Sequence, residues 1–369
     1  MKSIKLYAPA FWRVLLLSAL IPAHGWAQNT PAYQPPALLE SNACALVLIP
    51  DTQNYARNAR NQGIYDLMTA WIAENLQTLK LFTVLHVGDL VDQNSIENIV
   101  GYHGNQPGTQ QWQAISRAFE RLDAKIPYIN ATGNHDYDSV NAELRQTQFS
   151  KYFPLERNPA WQGVFVEACP NCASVKTLEN AAYALTTPTG RKLLIITLEY
   201  APRDAVLTWA RELAARDAWQ NHLVILVTHA YMQSIMRNNN LIRQSTTQNK
   251  EHNDGQAIWD KLIYPSANIR LVFCGHITGI KDPRENVGFR QDKNHLGRTV
   301  SQMLFNAQTD GGGRQGNGGD GWLRILEFSA DGQKVTVRTF SPLFAISPST
   351  QHLAWRTEAY NQFVFEIDN

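Results

Sequence analysis

The sequence predicts an α/β fold, a four-layer α/β/β/α sandwich in which two mixed sheets are flanked by helices. Three observations carry that prediction. Short apolar runs rich in Val, Ile and Leu alternate with stretches of helical periodicity. Two hairpin patterns are added to these alternating units. The apolar runs also stop on residues of a common chemical kind, as strands do when their carboxyl ends face one crevice.

Residues 1–27 read as an export signal rather than as structure. Lys2, Lys5 and Arg13 make a basic start, Val14 to Ala23 is a short apolar run, and Gly25-Trp26-Ala27 closes it at a site suited to signal peptidase. The run is too short to span a bilayer, and no later stretch is long enough. A periplasmic or secreted chain is therefore expected. Residues 28–43 read as an N-terminal linker, 44–345 as a single domain, and 346–369 as a tail that includes a final strand.

Cleavage leaves 30 basic residues against 32 acidic ones. A near-neutral chain without basic clusters argues against long nucleic acid as a partner. About 340 residues are enough to bury a large core within one domain. Nothing in the sequence marks a protein partner. Of the four cysteines, Cys169-Pro-Asn-Cys172 is expected to close as a disulfide, because half of a zinc knuckle would need a second such pair. Cys44 and Cys274 lie in strand-like runs and read as buried thiols.

The places where the strands stop are the most informative feature. "ALVLIPD" stops at Asp51, "FTVLHVGD" at Asp89, "IPYINATGN" at Asn134, "LVILVTH" at His229 and "LVFCGH" at His276. Five strand ends thus supply five potential metal ligands to one crevice. Between them, residues 64–79 carry Leu67, Trp71, Ile72 and Leu76 at helical spacing, and 109–123 and 203–217 behave alike, the last with Trp209 and Leu213 inward. Hairpins are expected at 181–200, around Pro188-Thr189-Gly190, and at 321–340, around Asp331-Gly332. The segment "DGGGRQGNGGDG" at 310–321 lacks the lysine and the following helix of a nucleotide phosphate loop, and is expected to be a mobile loop overhanging the site.

Taken together, "GDLVD" at 88–92, "GNHD" at 133–136, "THA" around His229 and "GH" at 275–276 resemble the calcineurin-like metallophosphoesterases, in order along most of the mature chain. "DTQ" at 51–53, "HNDGQAIWDKL" at 252–262 and "GWLRILEF" at 321–328 look like a bacterial-type branch that carries Asp-Thr-Gln where relatives have Asp-x-His. The resemblance implies two divalent cations about 3.5 to 4 Å apart, with Asp89 as the bridge and a metal-activated hydroxide attacking phosphorus. One cation would take Asn134, His229 and His276, a mixed nitrogen and oxygen set that suits zinc, iron or manganese. The other would take Asp51, Asp89 and the carbonyl of Gln53, because Thr278 stands where the family supplies a histidine and a hydroxyl is a poor ligand. Such an oxygen-only set favours manganese or magnesium and binds more weakly. One tight ion and one labile ion are therefore expected.

By the same resemblance His135 would be the general acid and Asp92 its carboxylate partner, while Asp136 would fix the loop through hydrogen bonds. Gln93 stands where many relatives carry a phosphate-clamping arginine. A diester monoanion, or a nucleotide-like ester, is thus expected ahead of a monoester dianion. A phosphomonoesterase on the same site is one alternative, and a catalytically silent metal-binding or adhesion protein on the same scaffold is another. His86, His103, Tyr55, His252 and Tyr231 fit packing or loop roles as well as pocket roles, and none is assigned.

Overall fold

The structure is a computed structural model, and it describes residues 33–98, 104–138, 142–244, 247 and 249–368. The export segment 1–27, the first part of the linker and His103 lie outside the described residues. Strands β1 (Cys44–Ile49), β2 (Leu81–His86) and β3 (Tyr128–Asn130) run parallel in one sheet, with helices α1 (Gln53–Ala56), α2 (Ala59–Glu74) and α3 (Gly108–Glu120) between them. The short helix α4 (Phe149–Tyr152) leads into the hairpin-forming strands β4 (Phe165–Pro170), β5 (Lys176–Thr186) and β6 (Lys192–Thr197). Helix α5 (Asp204–Ala214), strand β7 (Leu223–Val227), helix α6 (Gly255–Ile258), which continues as a π turn to Ile263, and strand β8 (Ile269–Cys274) follow. Strands β9 (Val287–Lys293), β10 (Thr299–Phe305), β11 (Leu323–Phe328) and β12 (Lys334–Phe340), helix α7 (Pro342–Ala345) and strands β13 (Trp355–Arg356) and β14 (Phe363–Glu366) complete the chain.

Two seven-stranded mixed sheets result. The first runs β13-β12-β11-β1-β2-β3 with β14 on β12, and the second runs β4-β5-β6-β7-β8-β10-β9. The alternation of side chains along β6, β7 and β8 shows how the sheets are sandwiched. Leu193, Ile195, Ile225, Val227, Leu271 and Phe273 join the core cluster that contains all of β1, whereas Leu194, Ile196, Val224, Leu226 and Val272 join a second cluster with Val206, Leu207 and Leu213 of α5. Both faces of these strands are covered, which is why they read as unbroken apolar runs. The fold is the four-layer sandwich that the sequence predicts.

Both hairpins form where expected, with Gly190 and Gly332 in the left-handed region at their turns. Helix α2 differs from the 64–79 expected for it. It spans 59–74 because the Asn105 side chain caps the Ala59 N–H at 2.9 Å, and because Asn75 closes the far end on the Trp71 carbonyl at 2.8 Å. Strand β14 pairs with β12 over Lys334–Val337, so the tail is stitched into the first sheet. The expected disulfide is not formed: Cys169 and Cys172 are free thiols. Cys169 packs into the second core cluster, while the Cys172 sulfur turns to the Arg145 carbonyl at 3.5 Å. Cys44 and Cys274 are buried thiols.

Candidate active site

The parallel registers align the strand ends. Ile49 lies opposite His86, His86 opposite Asn130, Val227 opposite Phe273, and Leu304 opposite Cys274. The residues one to four positions beyond these ends therefore meet at one edge of the sandwich. Asp89 is at the centre. Its Oδ1 accepts the His135 N–H at 3.0 Å, and its Oδ2 lies 3.1 Å from His229 Nε2. His276 Nδ1 lies 3.0 Å from Asn134 Oδ1 and 3.3 Å from His229 Nε2. Asp89, with φ at 55°, and His276, with φ at 71°, both hold left-handed backbone, a strain of order 1–3 kcal/mol that persists where surrounding structure enforces it. Gly133 permits this closeness, since a Cβ there would stand 2.2 Å from Asp89 Oδ1.

Asp51 closes the group from the β1 side. The His276 N–H points at its carboxylate, 3.1 Å from Oδ2, while the Asn306 and Gln308 side-chain amides reach the same Oδ2 at 2.8 and 3.3 Å. Asn306 and Gln308 follow β10 and were not anticipated. The signal was present as a sixth apolar run, "VSQMLFN", that stops on a polar residue at the same sheet edge.

The electrostatics are those of a cation site. Burial by itself would lower the His229 imidazole, but the carboxylates of Asp89 and Asp51 outweigh it, and the group is pushed up to about 9. Burial would likewise raise Asp89, yet His229 and His135 hold it below the usual carboxylate range. Asp51 is raised well above that range by burial, with Asp89 adding to the shift against the pull of His229. His276 is pushed down to about 3 by burial and by His229. The His229 Nδ1–H donates to the Val87 carbonyl at 2.8 Å, which leaves Nε2 aimed at Asp89 and His276.

These residues fit divalent metal. Among the described residues, Asp89, His229 and His276 offer ligand atoms all within 4.8 Å of one another. Gln53 donates its side-chain amide to Gln308, whose own amide reaches Asp51, and the Gln53 Oε1 is buried with no hydrogen-bond partner. Thr278 is engaged elsewhere, on Asn286 Oδ1 and Thr309 Oγ1, each at 2.9 Å.

His135 and Asp92 are adjacent, but not in the expected manner. The His135 Nδ1–H donates to the main-chain carbonyl of Asp92 at 2.9 Å, while the nearer carboxylate oxygen is 3.8 Å away. That carboxylate is fully buried and occupied by cations: Arg314 Nη2 is 3.1 Å from Oδ1, and Arg57 Nε is 3.9 Å from Oδ2. Arg314 is a residue that sequence reasoning missed. It comes from the glycine-rich loop and supplies a guanidinium where Gln93 had implied none. Asp136 binds the Gly133 and Val91 N–H groups at 2.8 and 3.1 Å, and burial with the charge of Asp89 pushes it up to about 7.

The remaining candidates serve as supports. His86 accepts the Gly88 N–H on Nδ1 and donates from Nε2 to Thr52 Oγ1, which itself donates to the Leu90 carbonyl; the ring is locked neutral, and burial pushes it down to about 3. Tyr55 accepts the Gly321 N–H, Tyr231 bonds Gln302, and His252 is exposed and bonds Asn249. A cavity of about 520 Å³ opens over the site, lined by Gln53, Asp89, Asn134, His135, His276 and Arg314 among others.

The family model for calcineurin-like phosphoesterases matches residues 45–278. The uncharacterized protein YvnB of Bacillus subtilis is 27% identical over 297 residues, 80% of this chain, but this chain spans only 20% of its length. A Staphylococcus aureus crystal structure described as a 5'-nucleotidase is 11% identical with a TM-score of 0.41, covering 89% of this chain and 55% of that one. GAP50, described as the anchor in the inner membrane complex of Plasmodium, is 10% identical with a TM-score of 0.40, covering 89% of this chain and 90% of that one. With its motifs in order and its polar strand-end residues gathered at one sheet edge, the chain belongs to the calcineurin-like phosphoesterase family.

Proposed function

We propose that the protein is an exported phosphodiesterase, acting on a diester or a nucleotide-like ester. The observation that carries this reading is the convergence of Asp89, Asn134, His229 and His276 on one centre, with His135 beside it at the floor of an open cavity. Divalent cations held there supply electrophilic stabilisation of the phosphoryl oxygens and a water of lowered pKa. Asp89, Asn134, His229 and His276 would hold the tighter ion, of zinc, iron or manganese, and Asp51, Asp89 and Gln53 a labile manganese or magnesium.

The chain's own residues account for the rest. His135 is held by its Nδ1–H on the Asp92 carbonyl, so Nε2 is the nitrogen that exchanges a proton, and in the protonated ring it donates to the departing ester oxygen. The diester preference is supported by the cavity wall. Gln53, Asn54, Thr278, Gln308, Thr309 and Gln315 are uncharged, and Ile280 at 83% exposure offers an apolar surface to a second ester group. Arg314 favours the phosphomonoesterase alternative, since a guanidinium stabilises a dianion more than a monoanion.

Hydrolysis of a chromogenic bis-phosphodiester with added manganese, abolished by Asp89→Asn, is the expected result. Silence on mono- and diesters across several metals would favour the binding-protein alternative instead. Export rests on residues 1–27, and the recovered protein is expected to begin at Gln28; a retained Met1 in the periplasmic or secreted fraction would refute cleavage.

A further inference from the structure

We propose that Arg314, presented by the glycine-rich loop 310–321, is the phosphoryl clamp of this site and the residue that sets its balance between monoesters and diesters. The inference rests on the phosphoesterase reading and extends it to a residue outside the family motifs. Arg314 Nη2 and His135 Nδ1 both approach Asp92 Oδ1, at 3.1 and 3.8 Å, so these two nitrogens are within about 7 Å of each other. Both residues line the cavity that holds Asp89 and His276. Because the two residues line one cavity, a phosphoryl group bound there with its leaving oxygen at His135 Nε2 can present a nonbridging oxygen to Arg314.

The loop is built to hold the guanidinium there. On one side of Arg314 the chain turns through the Gly313 N–H on the Asp310 carbonyl, and Asp310 is tied to Arg356 at 2.8 Å. On the other side, Arg60 Nη2 binds the Gln315 carbonyl at 2.7 Å and Asn61 Nδ2 the Gly316 carbonyl at 3.0 Å, which anchors the loop to α2. Gly316 is required for this closure, because a Cβ would stand 1.7 Å from the Gly311 carbonyl oxygen.

Asp92 can share Arg314 with a substrate. Its carboxylate keeps Arg57 at 3.9 Å and the Gln93 amide at 3.3 Å, so a guanidinium that turns toward phosphate does not leave a buried charge without partners. Formally, two guanidiniums around one carboxylate leave one net positive charge, and that charge serves a dianionic monoester more than a monoanionic diester. Gln93, at the position of the motif arginine, is then compensated from a different part of the chain.

The test is calorimetric titration of inorganic phosphate into the manganese-loaded protein, with Arg314→Met and Arg314→Gln beside the wild type, together with steady-state kinetics on paired mono- and diesters. Arg314 is about a third exposed on a surface loop, so both variants are expected to keep the wild-type metal content and melting temperature. Phosphate affinity is expected to fall at least tenfold in both, and kcat/KM to fall several-fold more for the monoester than for the diester. Unchanged phosphate affinity overturns the clamp, as does a loss of affinity that merely follows a loss of metal. A wild type that binds phosphate through Arg314 yet hydrolyses no ester would instead refute the phosphoesterase reading while leaving the clamp standing.

Discussion

His135 Nδ1 binds the main-chain carbonyl of Asp92 at 2.9 Å, whereas the nearest carboxylate oxygen of the same residue is 3.8 Å away. The imidazole is thus oriented by backbone, and the carboxylate is free to hold Arg57 and Arg314. Replacing His135 with alanine is expected to lower kcat by about 10²- to 10⁴-fold, most for poor leaving groups. Asp92→Asn is expected to keep the wild-type dependence on leaving-group pKa while lowering the melting temperature, because it strips the counter-charge from a buried Arg57. Loss of that dependence in Asp92→Asn would show that the carboxylate orients the ring after all.

Metal affinity is expected to depend on pH with a definite sign. His229 in the metal-free protein is pushed up to about 9, whereas His276 is pushed down to about 3 and is already neutral. A cation takes His229 Nε2 only from the neutral ring, so below pH 9 binding expels one proton and affinity falls about tenfold per pH unit as pH drops. The stability of the metal-free protein runs the other way. The contribution of a raised His229 is complete below its ordinary 6.5 and is lost as pH rises through about 9. Competition with a chelator of known affinity, repeated from pH 6 to 9, measures the first slope, and melting temperatures in excess chelator measure the second.

The two cation positions are expected to separate on dialysis, with about one ion per chain retained and the second restored by added manganese. Gln53→Ala removes the unpartnered carbonyl oxygen and should weaken only the second ion. Elemental analysis before and after dialysis checks both statements. Two ions held tightly by the wild type would contradict them.

Gly133→Ala should damage the centre without replacing any candidate metal-binding residue. Its methyl group would stand 2.2 Å from Asp89 Oδ1 and 2.4 Å from the Asp89 nitrogen, so the residue at the heart of the site must move. A stability loss of roughly 1–3 kcal/mol is expected from such overpacking, together with reduced metal content. A variant with normal metal content and activity would mean that the loop yields more readily than its packing indicates.

The sandwich was legible because strands covered on both faces must be apolar throughout, and because strands ending at a crevice must there give way to polar residues. Asp51, Asp89, Asn134, His229 and His276 could be read off as five such interruptions. Helix limits were less legible, since the start of α2 is capped by Asn105, a residue 46 positions downstream. The Cys169 and Cys172 spacing proposed a bridge, but their sulfurs face a core cluster and a carbonyl respectively, and local spacing carries no information about those neighbours.

The sequence by itself determined the fold class, and the types and strand-end positions of the candidate metal-binding residues, because hydrophobic periodicity and the chemistry of side chains are local properties. Tertiary structure alone decided what each polar group faces. It turned Thr278 to Asn286 and Thr309, brought Asn306 and Gln308 onto Asp51, and carried Arg314 across more than two hundred residues to Asp92. Those contacts are settled by strand register and by a folded loop, and both are fixed by packing over the whole core.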